Sequence, residues 1–223
     1  MNRKNFIAVK AVIFDMDGTL FDTEALGCNM WRRAAADLSS PIDERYIERI
    51  IGVNAATSRA IAFEMFGEAA KYDEVSCLAS EYFKREIEKN GIPEKKGMRE
   101  LLTYLKKQEI PMAIATSTRE LSAKRNLTKA GIYEYFSAEA FGDQVQRGKP
   151  APDIFLLAAQ RLGVPVEKCA VFEDSLNGLK AAKSAGAIVF AVPDLKPIEG
   201  EFKENTDFVL SSLVEAIGLL RKE

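Results

Sequence analysis

The stretch Lys10-Ala11-Val12-Ile13-Phe14-Asp15-Met16-Asp17-Gly18-Thr19 decides how this chain of 223 residues is organised. Its first part is apolar without alternation, which is typical of a buried parallel strand covered on both faces. Two aspartates follow at once, and residues i and i+2 of an extended segment point the same way. Asp15 and Asp17 therefore form a pair of carboxylates at the carboxyl end of a predicted strand.

Further apolar runs predict the other strands of the same sheet. The predicted strands are residues 10–15, 110–116, 169–173 and 187–192, with shorter candidates at 136–140 and 207–210. Helical patterns separate these runs, and Gly131, Gly163 and Gly186 stand where helices would end in a left-handed C-cap. Repeated strand–helix units predict an α/β fold with a doubly wound, Rossmann-like parallel sheet.

Residues 19–90 interrupt this pattern because they contain no convincing strand. Helix starts recur at Asp22 or Thr23, at Asp43 and at Asn54. The apolar residues between them fit the inner face of a small helical bundle. About 70 residues is far longer than a normal connection between a strand and a helix. We therefore expect an inserted all-helical cap domain at 19–90, with 1–18 and 91–223 forming the α/β core.

Composition excludes several classes of function. The chain has 31 lysine and arginine residues and 33 aspartate and glutamate residues, which gives a net charge of −2. This charge does not indicate binding to nucleic acid or to a membrane surface. No run approaches the roughly 20 apolar residues of a membrane span. Three scattered cysteines indicate a reducing compartment. We expect a cytoplasmic monomer that acts on a small molecule.

The sequence contains no histidine. This excludes serine–histidine and cysteine–histidine catalysis and most sites for zinc, copper and non-haem iron. Any chemistry must use carboxylates, hydroxyls, lysine and the backbone. That set suits oxygen-preferring ions such as Mg²⁺.

Polar residues stand at the ends of three predicted strands and in one loop. In an open parallel sheet, ligands bind beyond the carboxyl ends of the strands. We therefore expect these side chains, although distant in sequence, to converge on one site. The residues concerned are Asp15, Asp17, Thr116, Ser117, Lys149, Glu173 and Asp174.

The first aspartate pair has simpler interpretations. An isolated Asp-x-Asp-Gly favours a turn closed by Gly18. A calcium loop does not fit, because Thr19 and Leu20 stand where that loop needs a further ligand and then glycine. At a buried strand end, however, two carboxylates repel until a cation or a proton neutralises one of them. Asp15 then suits a nucleophile and Asp17 a general acid and base.

The other candidates also have structural alternatives. Glu173 and Asp174 precede a helix and could cap it, and this is as good an interpretation when the pair is taken alone. Beside the first aspartates, Asp174 becomes a metal ligand and Glu173 an acceptor for metal-bound water. Thr116 and Ser117 could both cap a helix and bind an anion there. Lys149 is either a solvated loop lysine or the fixed cation that a phosphoryl site needs.

The order of these motifs resembles the haloacid dehalogenase superfamily of phosphatases. The segments 21–24 (Phe-Asp-Thr-Glu), 148–155 (Gly-Lys-Pro-Ala-Pro-Asp-Ile-Phe) and 171–178 (Val-Phe-Glu-Asp-Ser-Leu-Asn-Gly) are similar to its β-phosphoglucomutase-like branch, which carries a helical cap between the first two strands. The resemblance covers nearly the whole chain. It implies the same core and cap that the strand pattern predicts.

The resemblance implies a role for each matching residue on the metal side of the site. Asp15 would be the nucleophile and a ligand of Mg²⁺. Asp17 would be the general acid and base and would offer its backbone carbonyl to the metal. Asp174 would bind Mg²⁺ directly, and Glu173 would support the water shell of the ion.

The resemblance also implies how substrate is held. Thr116 and Lys149 would bind the phosphoryl oxygens, with Ser117 beside them. The cap would close over the site and supply further contacts. For three polar residues of the cap, a substrate contact and a solvated helix face both stay open: Asn54, Arg59 and Lys84.

Departures from the family pattern separate the reactions of this branch. Dehalogenases lack the second aspartate, and Asp17 is present. Mutases commonly carry a histidine where this chain has Gly27, although Trp31 stands where the family often has tryptophan. No arginine occurs in 52–55, where the mutase would grip a second phosphate. These features predict a phosphatase that hydrolyses a small phosphorylated metabolite, such as a sugar phosphate, through an aspartyl-phosphate; a sugar-phosphate mutase is the alternative.

Two other classes fit less well. Receiver domains of response regulators also place acids, a hydroxyl and a lysine on a parallel sheet, but they are about half as long and have no helical insertion. They also place the acceptor aspartate after a later strand. An inactive binding protein would not need every motif residue, and all are present here.

Overall fold

The computed structural model describes residues 6–53, 55–195 and 199–223. The chain forms two compact units, one of Met1–Asp22 with Pro93–Glu223 and one of Thr23–Ile92. We call them the α/β unit and the helical unit. The predicted insert began at residue 19, but the structure keeps 19–22 in the α/β unit.

Backbone pairing explains this boundary. The N–H of Asp22 donates to the carbonyl of Pro93 at 2.8 Å, and the N–H of Lys95 donates to the carbonyl of Leu20 at 2.9 Å. The side chain of Lys95 then forms ion pairs with Asp22 at 3.2 Å and with Asp194. The chain therefore leaves and rejoins the α/β unit at two adjacent, hydrogen-bonded segments.

The α/β unit is built on a parallel sheet, as predicted. The strands of the unit are β1 (Ile7–Val9), β2 (Ala11–Phe14), β3 (Met112–Thr116), β4 (Ala138–Phe141), β5 (Cys169–Glu173), β6 (Ile188–Ala191), β7 (Phe208–Val209) and β8 (Leu220–Lys222). Six of them form one sheet in the order β4-β3-β2-β5-β6-β7, with every neighbouring pair parallel. The strand that carries the aspartate pair is therefore central.

Two strands were not predicted. β1 and β8 pair with each other in parallel, with Ile7 opposite Leu220. The two strands are more than two hundred residues apart in sequence. β8 contains Arg221 and Lys222, so no local apolar run marks it. Pairing between distant segments creates these strands, and a pattern in one segment does not show it.

Stacked aromatic rings set the register of the sheet. The rings of Phe14, Phe172, Phe190 and Phe208 lie on neighbouring strands, with successive centroids 5.0, 4.9 and 4.8 Å apart. Each is directly opposite the next in the strand pairing. Because cross-strand aromatic pairs stabilise one alignment over others, this row fixes the level at which each strand ends.

Four α-helices and a short 3-10 helix lie in the described residues 23–53 and 55–92 of the helical unit. The α-helices are α1 (Thr23–Asp37), α2 (Glu44–Ile50), α3 (Ala55–Phe66) and α4 (Tyr72–Asn90). α2 begins where predicted, since the Asp43 carboxylate accepts from the N–H of Tyr46 at 3.3 Å. The Tyr46 ring is buried, and its hydroxyl lies 2.7 Å from that of Ser58. The predicted helix start at Asn54 lies outside the described residues.

Helices of the α/β unit follow the strands. They are α5 (Met98–Lys107), α6 (Glu120–Lys129), α7 (Asp153–Leu162), α8 (Leu176–Ala185), α9 (Glu201–Glu204) and α10 (Val214–Ile217). Gly163 and Gly186 end α7 and α8 in the left-handed region, as predicted. Gly131 is also left-handed, but it is the second residue after the end of α6, and Ala130 is the C-cap. None of the helices that the structure describes is long and apolar enough to cross a bilayer.

Candidate active site

The carboxyl ends of β2, β3 and β5 lie side by side in the sheet. Phe14 is opposite Phe172, so the residues that follow them, Asp15 and Glu173, reach the sheet edge at the same level. The N–H of Asp15 donates to the carbonyl of Phe172 at 2.9 Å. Thr116 ends β3 on the other side of β2 and is buried. The register of the sheet therefore brings together side chains that are far apart in sequence.

Lys149 lies between two of these carboxylates. Its Nζ is 2.5 Å from Oδ1 of Asp15 and 2.6 Å from Oε1 of Glu173. The Lys149 side chain is 6% exposed, so it is not the solvated loop lysine that was the alternative prediction. Two buried ion pairs hold this ammonium group in one place.

Asp15, Lys149 and Glu173 form a buried cluster with two acidic groups and one basic group. Burial raises the pKa of Asp15 well above its usual value, and the Lys149 ammonium offsets only part of the rise. Burial would lower the pKa of Lys149, but the Asp15 and Glu173 carboxylates outweigh it and raise that pKa. One lysine facing two carboxylates leaves a net negative charge when all three are ionised. A further cation would therefore stabilise the ionised form of Asp15.

Glu173 accepts four hydrogen bonds in this site. Its Oε2 accepts from the N–H of Asp174 at 2.8 Å, from the N–H of Ser175 at 2.7 Å and from the Ser175 hydroxyl at 3.0 Å. Its Oε1 accepts from Lys149. The Ser175 hydroxyl in turn accepts from the N–H of Gly178, which caps α8. Glu173 thus links the start of α8 to the buried lysine.

The space around Glu173 leaves no room for a side chain at Gly178. A Cβ placed on Gly178 would lie 1.7 Å from Oε1 of Glu173. The helix can therefore pass the carboxylate only because this residue has no side chain. The sequence motif 171–178 contains this glycine, but its position against Glu173 could not be read from the motif.

We expect Gly178→Ala to lower activity by displacing Glu173 and, with it, Lys149. A misplacement of about 1 Å in a catalytic group can reduce kcat/KM about 10²-fold. Overpacking should also lower the free energy of unfolding by roughly 1–3 kcal/mol. Steady-state kinetics and denaturant unfolding measure the two effects.

A second helical glycine provides the control for stability. Among the residues that the structure describes, none has an atom within 4 Å of a Cβ placed on Gly27 in α1. Gly27→Ala should therefore raise the free energy of unfolding by about 0.5–1 kcal/mol. If Gly178→Ala stabilised the protein in the same way and kept full activity, the packing of Glu173 against α8 would not matter for the site.

Asp174 packs against the turn that follows the first aspartate pair. Gly18 has φ of +85°, and a Cβ there would lie 2.2 Å from Oδ2 of Asp174. The Thr19 hydroxyl donates to Oδ1 of Asp174 at 2.9 Å. Gly18 is therefore needed both for the left-handed turn and for the close approach of the Asp174 side chain. This contact brings the Asp174 carboxylate next to the Asp15–Gly18 segment.

Thr116 and Ser117 do not cap the next helix. α6 begins later, at Glu120, with Arg119 in the N-cap position and no side-chain cap. The Thr116 hydroxyl instead accepts from the N–H of Thr118 at 3.1 Å, and Ser117 is exposed. The prediction that the two residues cap a helix was therefore wrong, because a short bend at Ser117 and Thr118 separates the strand from α6.

Thr118 lies outside the sequence motifs but contacts one of their residues. Its hydroxyl donates to Oδ2 of Asp17 at 2.7 Å. The signal in the sequence was the run Thr116-Ser117-Thr118, which places three hydroxyls in succession at a strand end. Only the first two were assigned a role, since the pairing of the third with Asp17 depends on how two loops approach each other.

The oxygen atoms of this site fit a hard divalent cation. Within residues 6–53, 55–195 and 199–223, no three acidic or cysteine side chains form a ready-made metal cluster. Magnesium, however, usually takes one or two protein carboxylates and keeps several waters. Carboxylates at Asp15 and Asp174 and the backbone carbonyl of Asp17 are such a sparse set, and the cluster around Lys149 has a net negative charge when Asp15 is ionised. The donor chemistry therefore suits Mg²⁺.

The polar residues of the helical unit have less support as substrate-binding residues. Arg59 pairs with Asp73 of the same unit at 2.6 Å, and both side chains are exposed. Lys84 is also exposed. Asn54 lies outside the described residues. For Arg59, the ion pair supports the interpretation of a solvated helix face.

A parallel α/β sheet with paired acids, a hydroxyl and a buried lysine at its carboxyl edge defines a class of hydrolases. Comparison with known proteins identifies the class. The model of the haloacid dehalogenase-like hydrolase family matches residues 9–186. The chain belongs to this family, so the predicted family, α/β fold and enzyme class are confirmed.

Individual relatives agree with this assignment. A phosphorylated carbohydrates phosphatase of Thermotoga maritima is 40% identical over 178 residues, which cover 80% of this chain and 82% of the relative. A β-phosphoglucomutase of Bacillus subtilis is 32% identical over 93% of this chain and 95% of its own length. The crystal structure of CbbY from Rhodobacter sphaeroides in complex with phosphate has a TM-score of 0.77 and 29% identity, covering 93% of this chain and 96% of that one.

Proposed function

We propose that this protein is a magnesium-dependent phosphatase that releases inorganic phosphate from small phosphorylated carbohydrates through an aspartyl-phosphate. The observation that carries the proposal is the buried contact of 2.5 Å between Nζ of Lys149 and Oδ1 of Asp15 at the end of β2. A carboxylate held beside a fixed cation is suited to attack phosphorus, because the cation attracts the phosphoryl oxygens to the nucleophile.

In the first step, a carboxylate oxygen of Asp15 forms a bond to phosphorus while the bond between phosphorus and the ester oxygen breaks. Asp17 donates a proton to the leaving oxygen, so the product leaves as a neutral alcohol. Lys149 and the Thr116 hydroxyl hold phosphoryl oxygens, with Ser117 at the exposed side. Their positive charge and hydrogen bonds stabilise the charge that develops in the transition state.

In the second step, the ionised Asp17 accepts a proton from water. The water oxygen forms a bond to phosphorus as the bond between phosphorus and Asp15 breaks. Inorganic phosphate leaves, and both aspartates return to their starting protonation states. The same side chain therefore serves as acid and then as base.

Asp15, Asp174 and the backbone carbonyl of Asp17 are the groups that would hold Mg²⁺. When bound, the ion would neutralise carboxylate and phosphoryl charge. Glu173 already accepts four hydrogen bonds. In this proposal it therefore holds Lys149 in place and supports the water shell of the ion without binding it directly.

The substrate class and setting rest on indirect support. The relative from Thermotoga maritima is named for phosphorylated carbohydrates, and the net charge of −2 does not favour nucleic acid or an anionic membrane surface. We propose a cytoplasmic monomer whose residues 23–92 form the cap domain that selects substrates. Cys28, Cys77 and Cys169 form no disulfide, which agrees with a reducing compartment.

A screen of phosphomonoesters tests the proposed activity. We expect phosphate release from sugar phosphates with Mg²⁺, a fall of at least about 10²-fold when EDTA removes the ion, and recovery when Mg²⁺ is restored. Asp15→Asn serves as the blank in each assay. Phosphate release that EDTA does not affect would contradict the role of the metal.

The second candidate function is a sugar-phosphate mutase, favoured by the identity to the Bacillus subtilis β-phosphoglucomutase. Gly27 opposes it, because glycine offers no group that could take up a proton where the mutases commonly carry histidine. Incubation with a hexose 1-phosphate and Mg²⁺ separates the two. Free phosphate supports hydrolysis, whereas an isomerised sugar phosphate without free phosphate identifies a mutase.

A further inference from the structure

Thr118 has a fixed backbone and a hydroxyl directed at a catalytic acid. Its N–H donates to the Thr116 hydroxyl at 3.1 Å, and its carbonyl accepts from the N–H of Gly142 at 3.3 Å. Its own hydroxyl donates to Oδ2 of Asp17 at 2.7 Å. Hydrogen bonds therefore fix the backbone of Thr118 on both sides of its Cα atom.

The neighbouring loop fixes the same segment by close packing. A Cβ placed on Gly142 would lie 2.1 Å from the carbonyl oxygen of Ser117. The loop after β4 can therefore approach the segment after β3 only through a glycine. This contact restricts the residue directly before Thr118, so the threonine hydroxyl is directed from a backbone that has little freedom to move.

From this geometry we propose that Thr118 is a positioning residue that holds Oδ2 of Asp17, so that Oδ1 carries the proton in both steps of catalysis. A carboxyl group with one oxygen in a fixed hydrogen bond cannot rotate freely about its bond to Cβ. Proton transfer requires heavy atoms within hydrogen-bond distance. The inference rests on the proposed function, because it assumes that Asp17 is the general acid and base.

In the proposed mechanism, the two carboxyl oxygens of Asp17 have different roles. Protonated Oδ1 donates to the leaving oxygen as the phosphorus–oxygen bond of the substrate breaks, and the ionised group then takes a proton from water. Oδ2 keeps the hydrogen bond from the Thr118 hydroxyl during both transfers. Thr118 itself neither gains nor loses a proton, which distinguishes it from the catalytic residues.

Two substrates with different leaving groups test this assignment. An alkyl phosphate such as a sugar phosphate needs a proton on its leaving oxygen, whereas p-nitrophenyl phosphate has a weakly basic leaving group that departs without one. General acid catalysis contributes about 10²–10⁴-fold. We expect Thr118→Val to lower kcat/KM for the alkyl phosphate by about 10- to 100-fold and to leave kcat/KM for p-nitrophenyl phosphate nearly unchanged.

The second step gives an independent readout. Activation of water by Asp17 is required for both substrates, so kcat for p-nitrophenyl phosphate should fall in Thr118→Val while its KM falls in parallel. Acid-quenched enzyme should then contain more aspartyl-phosphate than the wild type. Thr118→Ser keeps the hydroxyl and should restore most of the activity in both steps.

Thr128, an exposed threonine on α6, supplies the matched control. Thr128→Val should match the wild type in every measurement, and melting temperatures of all variants show whether they fold. An equal fall in kcat/KM for both substrates, or a raised KM with unchanged kcat, would assign Thr118 to phosphate binding and overturn the proposal. Wild-type protein that hydrolyses neither substrate would instead overturn the proposed function.

Discussion

Lys149→Met should lower kcat/KM about 10²- to 10³-fold and also destabilise the protein. The side chain is almost fully buried between Asp15 and Glu173. Methionine keeps much of its volume but removes the positive charge that pairs with Asp15 and Glu173. Loss of a fixed group that stabilises developing charge costs about 10²–10³-fold in rate. Two unpaired buried carboxylates should lower the free energy of unfolding by roughly 3–5 kcal/mol.

An exposed lysine in the same unit gives the control. Lys183 pairs with Asp207 at 2.5 Å, but its side chain is 44% exposed. Lys183→Met should change the free energy of unfolding by less than about 1 kcal/mol, because solvent screens surface pairs. Kinetics and urea unfolding of both variants make the comparison. Equal stability of the two would show that the Lys149 ion pairs contribute no more than a surface pair.

Asp15→Asn should separate activity from stability. We expect phosphate release to fall by roughly 10⁴-fold or more, because the amide cannot form the aspartyl-phosphate. The free energy of unfolding should change by less than about 1 kcal/mol. Asparagine has nearly the same shape, and Lys149 keeps its partner Glu173. The cluster then contains one positive and one negative charge.

Phosphate release and thermal unfolding of this variant are measured on the same preparation. A folded variant that releases phosphate as fast as the wild type would rule out Asp15 as the nucleophile. A variant that is inactive and unfolded would point to a structural role of the carboxylate. The proposed mechanism requires an inactive protein with a normal unfolding transition.

Much of the sheet was predictable because burial on both faces leaves a continuous apolar run. Strand 169–173 was predicted with the bounds that the structure has, and the run at 10–15 contains β2. The rule that parallel strands present their carboxyl ends at one edge then placed the polar residues together. The register was not predictable, since the stacking of Phe14 on Phe172 depends on packing between segments far apart in sequence.

The candidate site was predictable as a set of residues and less so as a set of contacts. Position at a strand end indicated Asp15 and Glu173, but the sequence could not show that Lys149 bridges them. The hydrogen bond between Thr118 and Asp17 and the closeness of Gly178 to Glu173 depend on distances between loops. Local patterns contain the residue types and their order, whereas approach between distant segments is a property of the folded chain.

The paired segments at Asp22 and Pro93 have a consequence for how such enzymes diversify. Once a loop is closed at its base, its length has little influence on stability, since each doubling costs only about 0.6 kcal/mol. The sheet and its catalytic edge are therefore largely insensitive to what is threaded between these two residues. If this segment selects the substrate, as we propose, it can change in length or sequence while the residues at the edge of the sheet keep their positions.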